Sequence, residues 1–509
     1  MPAARAVLTW GLMALPVALA EPAPSSTFAS TLAPSRTEAQ APAPKTPRFV
    51  FVGDVLLARG VIRERNDRGI SPWRDWTPFL QGADWVMGNL EGAVGPASEC
   101  SPRPGPCFAI PDSLIDDLRN AGFTALSMAN NHAFDLGPAG FSRTRAAVRA
   151  RGMLPVGFED SPLFRVVGGH AIAFVAMTLI PGKDGRGQTL PGLAEARKLR
   201  FARAFAERVI VFMHWGGELR DWPGEDQIAG ARWLAQRGAD LVLGAHPHLV
   251  QADTCVAGIP VFYSLGNHLF DQKYPETRRG QVADCRLEAA GFVCRSHRTD
   301  AEADGFFPRP PDARGAESAA SLLHCSDSAL VRPHPPAIVE SIWRNDTAYL
   351  VWSQPGAGGR PIRWFTRGSE LLCASPFRLS GDSGEYLFAL EWHYSSLDRE
   401  TAPRPYVYRL GSAGPVAKWR GSGLAWPLLD ATPLPSEPGA LCALHRGDSF
   451  LVPDSTVRTT RVAAYRWNGF GFSLAADGAL EKACRAELGI SPAGGQGFPA
   501  GRIDSPHSP

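Results

Sequence analysis

The stretch LVLGAHPHLVQ, residues 241–251, places two histidines directly after a run of apolar residues. Such a run predicts a buried β-strand, and His246 and His248 follow its end, separated only by Pro247. Loops that leave the carboxyl ends of neighbouring strands meet at one edge of an open α/β sheet. We therefore expect these two rings to share a site with side chains from other strands.

Seven apolar runs in the first half of the chain, including this one, predict strands. They cover residues 48–52, 83–88, 124–129, 171–177, 208–213, 239–244 and 259–265. Amphipathic helical patterns cover residues 111–122, 140–153 and 225–239. The alternation of short strands with helices is typical of a layered α/β domain, which we expect over residues 48–272.

Six of the seven predicted strands are followed at once by Asp, Glu, Asn or His. A site for two divalent metals needs a bridging carboxylate together with imidazole, carboxylate and carbonyl ligands. The strand ends supply that set, so the pattern predicts a centre for one or two ions of manganese, zinc or iron. The predicted ligands are Asp54, Glu91, Asn131, His214, His246 and His248.

Six segments carry a resemblance to a known family. FVGDVLLAR, GNLEGAV, MANNHAFDLGPAGF, MHWGGEL, LGAHPHLVQ and VFYSLGNHLFD occur in that order between residues 48 and 272. Together they resemble the motifs of the capsule synthesis CapA (PgsA) family, associated with poly-γ-glutamate production, within the calcineurin-like metallophosphoesterase superfamily. The resemblance implies an α/β/β/α sandwich and hydrolysis or transfer on a phosphoester or an anionic polymer. Membrane-associated capsule synthesis machinery is the partner that it implies.

The resemblance also implies roles for single residues. Asp54 is similar to the first aspartate ligand, and Glu91, or less favourably Asn89, stands where the bridging carboxylate is expected. His132 matches the histidine that protonates a leaving group or steadies the transition state. The remaining implied ligands are Asn131, His214, His246 and His248.

Five further residues bear on the predicted site, three as supporting residues and two as departures from the family pattern. Asp135 is expected to hold the ring of His132, and Glu218 to orient His214. Arg59 suits an anionic group of the substrate. Leu56 stands where the superfamily has a first-motif histidine, which leaves one metal position short of a ligand. His268 replaces the phenylalanine usual in the family, as an extra ligand or a rim residue.

The termini and cysteines predict an exported protein. Residues 1–20 read as a signal peptide, with an uncleaved anchor as the alternative, and residues 21–47 as a disordered Pro/Ala-rich linker. Nine cysteines favour disulfides, with Cys100–Cys107 and Cys285–Cys294 as local pairs and at least one thiol left over. We expect a periplasmic or secreted location.

The second half of the chain predicts a different architecture. Residues 273–335 read as a linker or irregular excursion, and residues 481–509 as a tail. Between them, residues 336–480 predict an all-β repeat domain, either a propeller or a sandwich. The repeat is weak: residues 387–396 and 406–410 resemble residues 441–450 and 463–472. Residues 340–354 suggest a third copy.

The net charge of +2 gives no basic surface for a phosphate backbone, so nucleic acid is excluded as a partner. Three functional hypotheses stay open. The first is an exported metal-dependent hydrolase or transferase of envelope or capsule assembly. The second is a non-catalytic accessory protein that binds or presents an anionic polymer, and the third is an adhesive protein with a decayed enzyme domain.

Overall fold

The computed structural model describes residues 46–100, 105–158, 161–301, 306–310, 321–325, 337–344, 347–354, 362–395, 400–411, 414–421, 424, 428–446 and 460–490. The predicted signal peptide, and the predicted linker up to residue 45, lie outside these ranges. Within them, no helix combines the length and the apolar character that a membrane span needs.

All seven predicted strands are present, with ends shifted by a few residues. They correspond to β1, β2, β5, β8, β9, β10 and β12 below, and most of their residues are buried on both faces. The strands are β1 (Arg48–Val55), β2 (Trp85–Leu90), β3 (Ala93–Val94), β4 (Ala109–Ile110), β5 (Ala125–Ser127), β6 (Leu154–Val156), β7 (Leu163–Val167), β8 (His170–Thr178), β9 (Arg208–His214), β10 (Leu241–Ala245), β11 (Asp253–Val256), β12 (Ile259–Phe262), β13 (Asn267–Leu269), β14 (Arg279–Glu288), β15 (Gly291–Asp300) and β16 (Ser321–His324).

The three predicted helical patterns correspond to α3, α4 and α6, while α1, α2 and α5 are additional. The helices are α1 (Gly60–Arg68), α2 (Thr77–Leu80), α3 (Ile115–Ala121), α4 (Gly137–Ala150), α5 (Leu193–Phe205) and α6 (Glu225–Gln236). Short 3-10 turns cover Ala97–Glu99, Asp112–Leu114 and Pro275–Arg278.

Two large sheets organise this half of the protein. The first has the order β16-β15-β14-β1-β2-β5-β6, with β13 also pairing β1. Strands β1, β2, β5 and β6 run parallel, whereas β14 joins β1 antiparallel. The second has the order β11-β12-β10-β9-β8-β7, in which β8, β9, β10 and β12 run parallel. The mixed α/β class is therefore confirmed.

One apolar core contains side chains from both sheets. Trp85 of β2 stacks on Phe174 of β8 with ring centroids 4.0 Å apart, and Phe51 and Phe212 lie fully buried in the same cluster. A second cluster packs the other set of β1 and β2 side chains against residues of α1, α2 and α3. Alternate strand residues thus face different cores, as expected for the period of a β-strand.

Three antiparallel meanders follow. The first holds β17 (Ile338–Arg344), β18 (Thr347–Gln354) and β19 (Ile362–Arg367); the second β20 (Leu371–Phe377), β21 (Tyr386–Ser395), β22 (Glu400–Gly411) and β23 (Gly414–Arg420); the third β24 (Leu428–Pro433), β25 (Ala440–Arg446), β26 (Thr460–Trp467) and β27 (Phe472–Leu474). The weak repeat falls on equivalent strands, because its two clearest copies overlap β21 with β22 and β25 with β26. The β-rich character is confirmed, and the choice between propeller and sandwich stays a prediction.

The β-rich half packs directly on α5. Phe205 of α5 meets Trp352 of β18 edge to face, with centroids 4.8 Å apart. Asp430 of β24, fully buried, accepts hydrogen bonds from Arg197 Nε at 3.0 Å and Arg200 Nη2 at 2.5 Å. A single apolar cluster runs from the second sheet through α5 into the meanders.

Four disulfides are present among the described residues. The predicted pairs Cys100–Cys107 and Cys285–Cys294 are confirmed, and Cys255–Cys325 and Cys442–Cys484 are new. The leftover thiol is Cys373, which is buried.

Two predicted boundaries are wrong. Residues 279–300, expected to be linker or irregular, form the long hairpin of β14 and β15, because alternate side chains such as Val282 and Cys294 enter the cores of the first sheet. The start of the predicted tail is helical: α7 (Gly478–Glu487) buries Leu480 and is tied to β25 by Cys442–Cys484. Residues 491–509 lie outside the described ranges.

Candidate metal centre

The predicted strand-end side chains meet at one edge that the two sheets share. In the first sheet, Asp54 lies in register with Asn89 of β2. In the second sheet, His214 lies in register with Ala245, the residue before His246. The backbone N–H of His246 donates to Asp54 Oδ2 at 3.1 Å. That contact joins the ends of β1 and β10.

Asp54 is the fixed point of the centre. It is fully buried, and its Oδ1 accepts a hydrogen bond from Asn89 Nδ2 at 2.8 Å. Its Oδ2 lies 3.3 Å from His248 Nδ1, in addition to the backbone contact from His246. Partners from two separate segments, the end of β2 and the loop after β10, therefore hold this carboxylate in one orientation.

Glu91 is a buried carboxylate without donors. It is 1% exposed, and neither oxygen has a hydrogen-bond partner in the described structure. Its Oε1 lies 3.8 Å from His132 Nε2 and 4.0 Å from His248 Nε2. Burial, reinforced by the charge of Asp54, raises the pKa of this carboxyl well above its usual range. A cation held at Glu91 would offset that burial cost, so the residues fit a metal ion.

The two histidines of the opening stretch sit on a strained backbone. His246 has φ 97° and His248 has φ 60°, both in the region that favours glycine. Such conformations cost on the order of 1–3 kcal/mol each and persist where surrounding contacts impose them. The imposing contacts are the hydrogen bond from His246 N–H to Asp54 and that from Leu219 N–H to Pro247 O, 2.9 Å long.

The protonation of the imidazoles differs within the centre. Burial lowers the pKa of His246 to about 4, and burial also takes the pKa of His214 well below its usual range. Burial acts in the same direction on His248, but the carboxylates of Glu91 and Asp54 outweigh it and raise the pKa to about 9. His246 and His214 are thus neutral, and the buried Nδ1 of His246 has no hydrogen-bond partner in the described structure, so this ring can ligate a cation. His248 must first lose a proton.

An amide network surrounds His214. Its Nδ1 lies 3.2 Å from Asn89 Nδ2 and its Nε2 lies 2.9 Å from Asn131 Oδ1. Asn130 Nδ2 donates in turn to Asn89 Oδ1 at 3.0 Å. The amide of Asn89 therefore connects Asp54 with His214. The superfamily resemblance implies a carboxylate between two such ligands.

The predicted contact between Asp135 and His132 is present. Asp135 Oδ2 lies 2.8 Å from His132 Nδ1 and also accepts the backbone N–H of Phe108 at 2.7 Å. The imidazole stacks on the Phe108 ring with centroids 4.0 Å apart. Because Nδ1 is engaged, Nε2 is the ring nitrogen that faces Glu91.

Arg59 lies at the rim, as a residue that contacts substrate should. Its side chain is 40% exposed, forms an ion pair with Asp271 and lies over the Phe108 ring, 4.4 Å from the centroid. The guanidinium is therefore oriented by neighbours and still accessible from solvent.

Leu56 and His268 bring no ligand atom to the centre. Leu56 is fully buried in the apolar core of α1 and α3. His268 is 2% exposed and stacks on Trp73 at 5.2 Å, with Trp76 edge-on at 4.6 Å. It is a core ring rather than the rim residue that one alternative expected.

Two sets of side chains bring ligand atoms within 4.8 Å of one another in the described structure. One is Asp54, Glu91 and His248; the other is Glu218, His246 and His248. The prediction that Glu218 orients His214 is wrong. The loop after β9 turns Glu218 towards the His246–His248 loop instead.

Sequence reasoning missed Asn130 and Phe108. Asn130 stands in the same ANNH segment as two predicted site residues, so its neighbours were a usable signal. Phe108 follows Cys107 in a loop between β3 and β4 and carries no local signal. Phe108 lies against His132 only because the folded chain brings these two distant segments together.

Cation binding near neutral pH is expected to release a proton from His248. In the metal-free protein this ring has a pKa of about 9, whereas a coordinating imidazole is deprotonated. The raised pKa stabilises the metal-free fold below about pH 6.5, and this contribution is lost as the pH rises through about 9. Calorimetric titration with Mn²⁺ in two buffers of different ionisation enthalpy measures the release. Identical binding enthalpies in both buffers would contradict it.

Comparison with known proteins shows which family the residues around this centre resemble. Residues 48–272 match the family model described as bacterial capsule synthesis protein PGA_cap. This part of the chain is similar to that family. The predicted family resemblance is thereby confirmed, and we refer to residues 48–272 as the PGA_cap region.

Named relatives agree with the family. The chain is 29% identical to the PGA biosynthesis protein CapA of Bacillus subtilis, over 47% of this chain and 68% of that protein. It is also 29% identical to the capsule biosynthesis protein CapA of Bacillus anthracis, over 50% and 68% respectively. A probable polyglutamine synthesis accessory protein of Mycobacterium tuberculosis is 22% identical over 45% of this chain and 75% of that protein.

Solved structures add no argument about the fold. A thermostable family-43 glycoside hydrolase aligns over 41% of this chain and 70% of that chain, at 9% identity and a TM-score of 0.14. The side chains of the candidate centre, from Asp54 to His248, all lie in the PGA_cap region, although β14 and β15 complete its first sheet from outside the matched residues.

Proposed function

We propose that this protein acts outside the cytoplasm in the synthesis of a capsule or of poly-γ-glutamate, as a metal-dependent hydrolase or transferase acting on an anionic substrate. The names of the relatives supply the process. Four disulfides in the described structure support an oxidising compartment. The shared core of the two sheets supports the layered α/β/β/α arrangement of the metallophosphoesterase superfamily.

The unpaired carboxylate of Glu91 carries this proposal. A structural glutamate at 1% exposure would need donors for its oxygens, and this one has none in the described structure. Asp54 and His248 converge on the same position. A divalent manganese, zinc or iron ion bound there would polarise a phosphoryl or acyl oxygen and activate water.

His132 is placed to handle the proton of the reaction. Asp135 fixes its Nδ1, so Nε2 faces the cleft beside Glu91. From there the ring can donate a proton to the departing oxygen or nitrogen, as a general acid. Arg59, partly exposed at the rim, would hold an anionic group of the substrate by paired hydrogen bonds.

Replacing His132 with alanine is expected to reduce turnover by about 100- to 10,000-fold while the metal content stays unchanged. The measurement is hydrolysis by the manganese-loaded protein of a phosphomonoester, a phosphodiester and poly-γ-glutamate, beside metal analysis. His170→Ala is the matched control, because His170 pairs with Glu207 at 3.0 Å on the far end of β8. Unchanged rates in His132→Ala would remove the catalytic role.

A second candidate is the accessory protein that binds or presents an anionic polymer. It is favoured by the amide of Asn89 between Asp54 and His214, and by Leu56 in the apolar core. Both features leave the centre with fewer charged ligands than a dinuclear hydrolase uses. Tight polymer binding by the wild-type protein, with no turnover of any substrate in the panel, would support this function.

A further inference from the structure

We propose that Phe108 is a positioning residue of the reaction, whose ring sets the proton donor His132 and the substrate-binding Arg59 relative to each other. This inference rests on the proposed function, because it concerns how two groups of that reaction are oriented. It assigns a role to an apolar side chain between β3 and β4, outside the six segments that carry the family resemblance.

The first support is the contact of one ring with two groups of the centre. The imidazole of His132 stacks on the Phe108 ring with centroids 4.0 Å apart. The guanidinium carbon of Arg59 lies over the same ring, 4.4 Å from its centroid. Phe108 is 3% exposed, so its ring cannot turn away into solvent. A single buried side chain therefore sets the spacing between the proton donor and the guanidinium.

The second support is the way in which the Phe108 backbone is fixed. Its N–H donates to Asp135 Oδ2 at 2.7 Å, and the same oxygen lies 2.8 Å from His132 Nδ1. Its carbonyl oxygen accepts the N–H of Ala93 at 2.9 Å. Gly92 allows this close approach, because a Cβ atom there would lie 2.7 Å from the Phe108 carbonyl oxygen. Phe108 is thus anchored to the segment that carries His132 and to the segment after β2.

The third support is the closure of the loop that carries the ring. Cys107, the residue before Phe108, forms a disulfide with Cys100. Nζ of Lys183 donates to the carbonyl oxygen of Gly105 at 3.1 Å, which joins the loop to the segment after β8. These contacts hold the ring in place before substrate binds, which lowers the entropy lost when the reacting groups are brought together.

Proton transfer to the leaving group depends on this placement. As the bond from phosphorus or acyl carbon to the leaving atom breaks, its electron pair stays on the leaving atom, and the proton on Nε2 of His132 passes to that atom. The donor must lie within hydrogen-bond reach of the leaving atom, so an imidazole that tilts away loses this function. Phe108 limits that tilt. The same ring, together with the ion pair to Asp271, orients Arg59.

The test compares Phe108→Leu with the wild type, both as the manganese-loaded full-length chain, on substrates that differ only in their leaving group. One pair is phenyl phosphate and p-nitrophenyl phosphate, and the other is γ-glutamyl anilide and γ-glutamyl-p-nitroanilide. The nitro group makes the leaving atom less basic, so that it needs less help from an acid. Phe108→Leu should lower kcat by about 10- to 100-fold on the unsubstituted member of a pair, and far less on the nitro member. KM should rise on both members, because Arg59 loses the ring over which it lies.

Further variants show whether the ring acts through His132. Adding Phe108→Leu to His132→Ala should cause no further fall in kcat. Phe108→Met is a second variant that fills the site without a ring and should repeat the result. Phe292→Leu is the matched control and should leave kcat and KM unchanged, because Phe292 is also 3% exposed but packs edge-on against Phe49 in the β14–β15 hairpin. Thermal unfolding and manganese content check that each variant folds and holds metal.

The outcomes separate this inference from the proposed function. An unchanged kcat, an equal fall on both members of a pair, or a further fall in the His132→Ala background overturns the positioning role and leaves the hydrolase standing. A wild-type protein that turns over neither pair removes the proposed hydrolase function and this inference with it.

Discussion

Glu91→Gln is expected to abolish tight cation binding and, at the same time, to stabilise the metal-free protein. The carboxylate is buried and lacks hydrogen-bond donors, and the His248 ring 4.0 Å away offsets only part of the cost of burying its charge. The amide removes that charge. We expect affinity for Mn²⁺ to fall by at least about 100-fold. The free energy of unfolding of the metal-free protein at neutral pH should rise by roughly 1 kcal/mol or more.

The pH dependence of that stability gain has a definite sign. Burial and Asp54 raise the pKa of Glu91 in the folded state, so its protonated form contributes stability at low pH that is lost as the pH rises above about 4.5. The gain from Glu91→Gln should therefore be small at acid pH and grow towards neutrality. Urea unfolding of the stripped proteins at several pH values measures it.

Glu64→Gln is the control, because Glu64 forms only an exposed pair with Arg68 on α1. It should change neither metal affinity nor the pH profile beyond a few tenths of a kcal/mol. A Glu91→Gln protein that binds Mn²⁺ like the wild type would remove Glu91 from the centre. A metal-free variant less stable than the wild type at neutral pH would show that the carboxylate has donors in solution.

Asp430→Ala is expected to reduce the free energy of unfolding by about 3–5 kcal/mol. Asp430 is fully buried and pairs with two arginines of α5, Arg197 at 3.0 Å and Arg200 at 2.5 Å. Its removal leaves two guanidinium groups without their carboxylate at the junction between α5 and the third meander. Chemical unfolding followed by tryptophan fluorescence and circular dichroism gives the value.

Two further variants serve as controls for Asp430→Ala. Glu481→Ala breaks an exposed pair with Arg485 on α7 and should cost less than about 1 kcal/mol. The triple replacement Asp430→Leu, Arg197→Met and Arg200→Met should recover much of the loss, because it removes the unpaired charges together. A loss for Asp430→Ala no larger than that for Glu481→Ala would contradict the importance of this contact.

Much of the PGA_cap region could be predicted because its signals are local. Each central strand is an apolar run, and the residue after it is a candidate ligand by position alone. Position alone therefore predicts one shared edge for a set of five side chains that the structure does bring together: Asp54, Glu91, His214, His246 and His248. The same local reasoning predicts the pair of His132 and Asp135, since they stand three positions apart within one segment.

The features that the sequence does not predict depend on contacts between distant segments. The orientation of Glu218 is decided by the Leu219 to Pro247 hydrogen bond and by Gln251, which no spacing rule encodes. The hairpin of β14 and β15 lies in a segment rich in Pro, Gly, Ala and Arg, whose sequence shows no clear periodicity, so the pairing of its strands is not predicted by any local pattern. The contact of α5 with Asp430 joins residues more than 200 positions apart, beyond the reach of any local pattern.

The family match and the folded unit end at different places, which matters for anyone who wishes to divide the chain. Strand β14 pairs with β1 along Arg48 to Phe51, yet it begins seven residues after the match ends at residue 272. A fragment cut at that limit would leave the central parallel strand with open backbone amides along its first half, a template for self-association. Expression fragments should extend at least through Cys325, so that the fragment keeps the disulfide-closed hairpin, strand β16 and the Cys255–Cys325 disulfide together with the candidate metal centre.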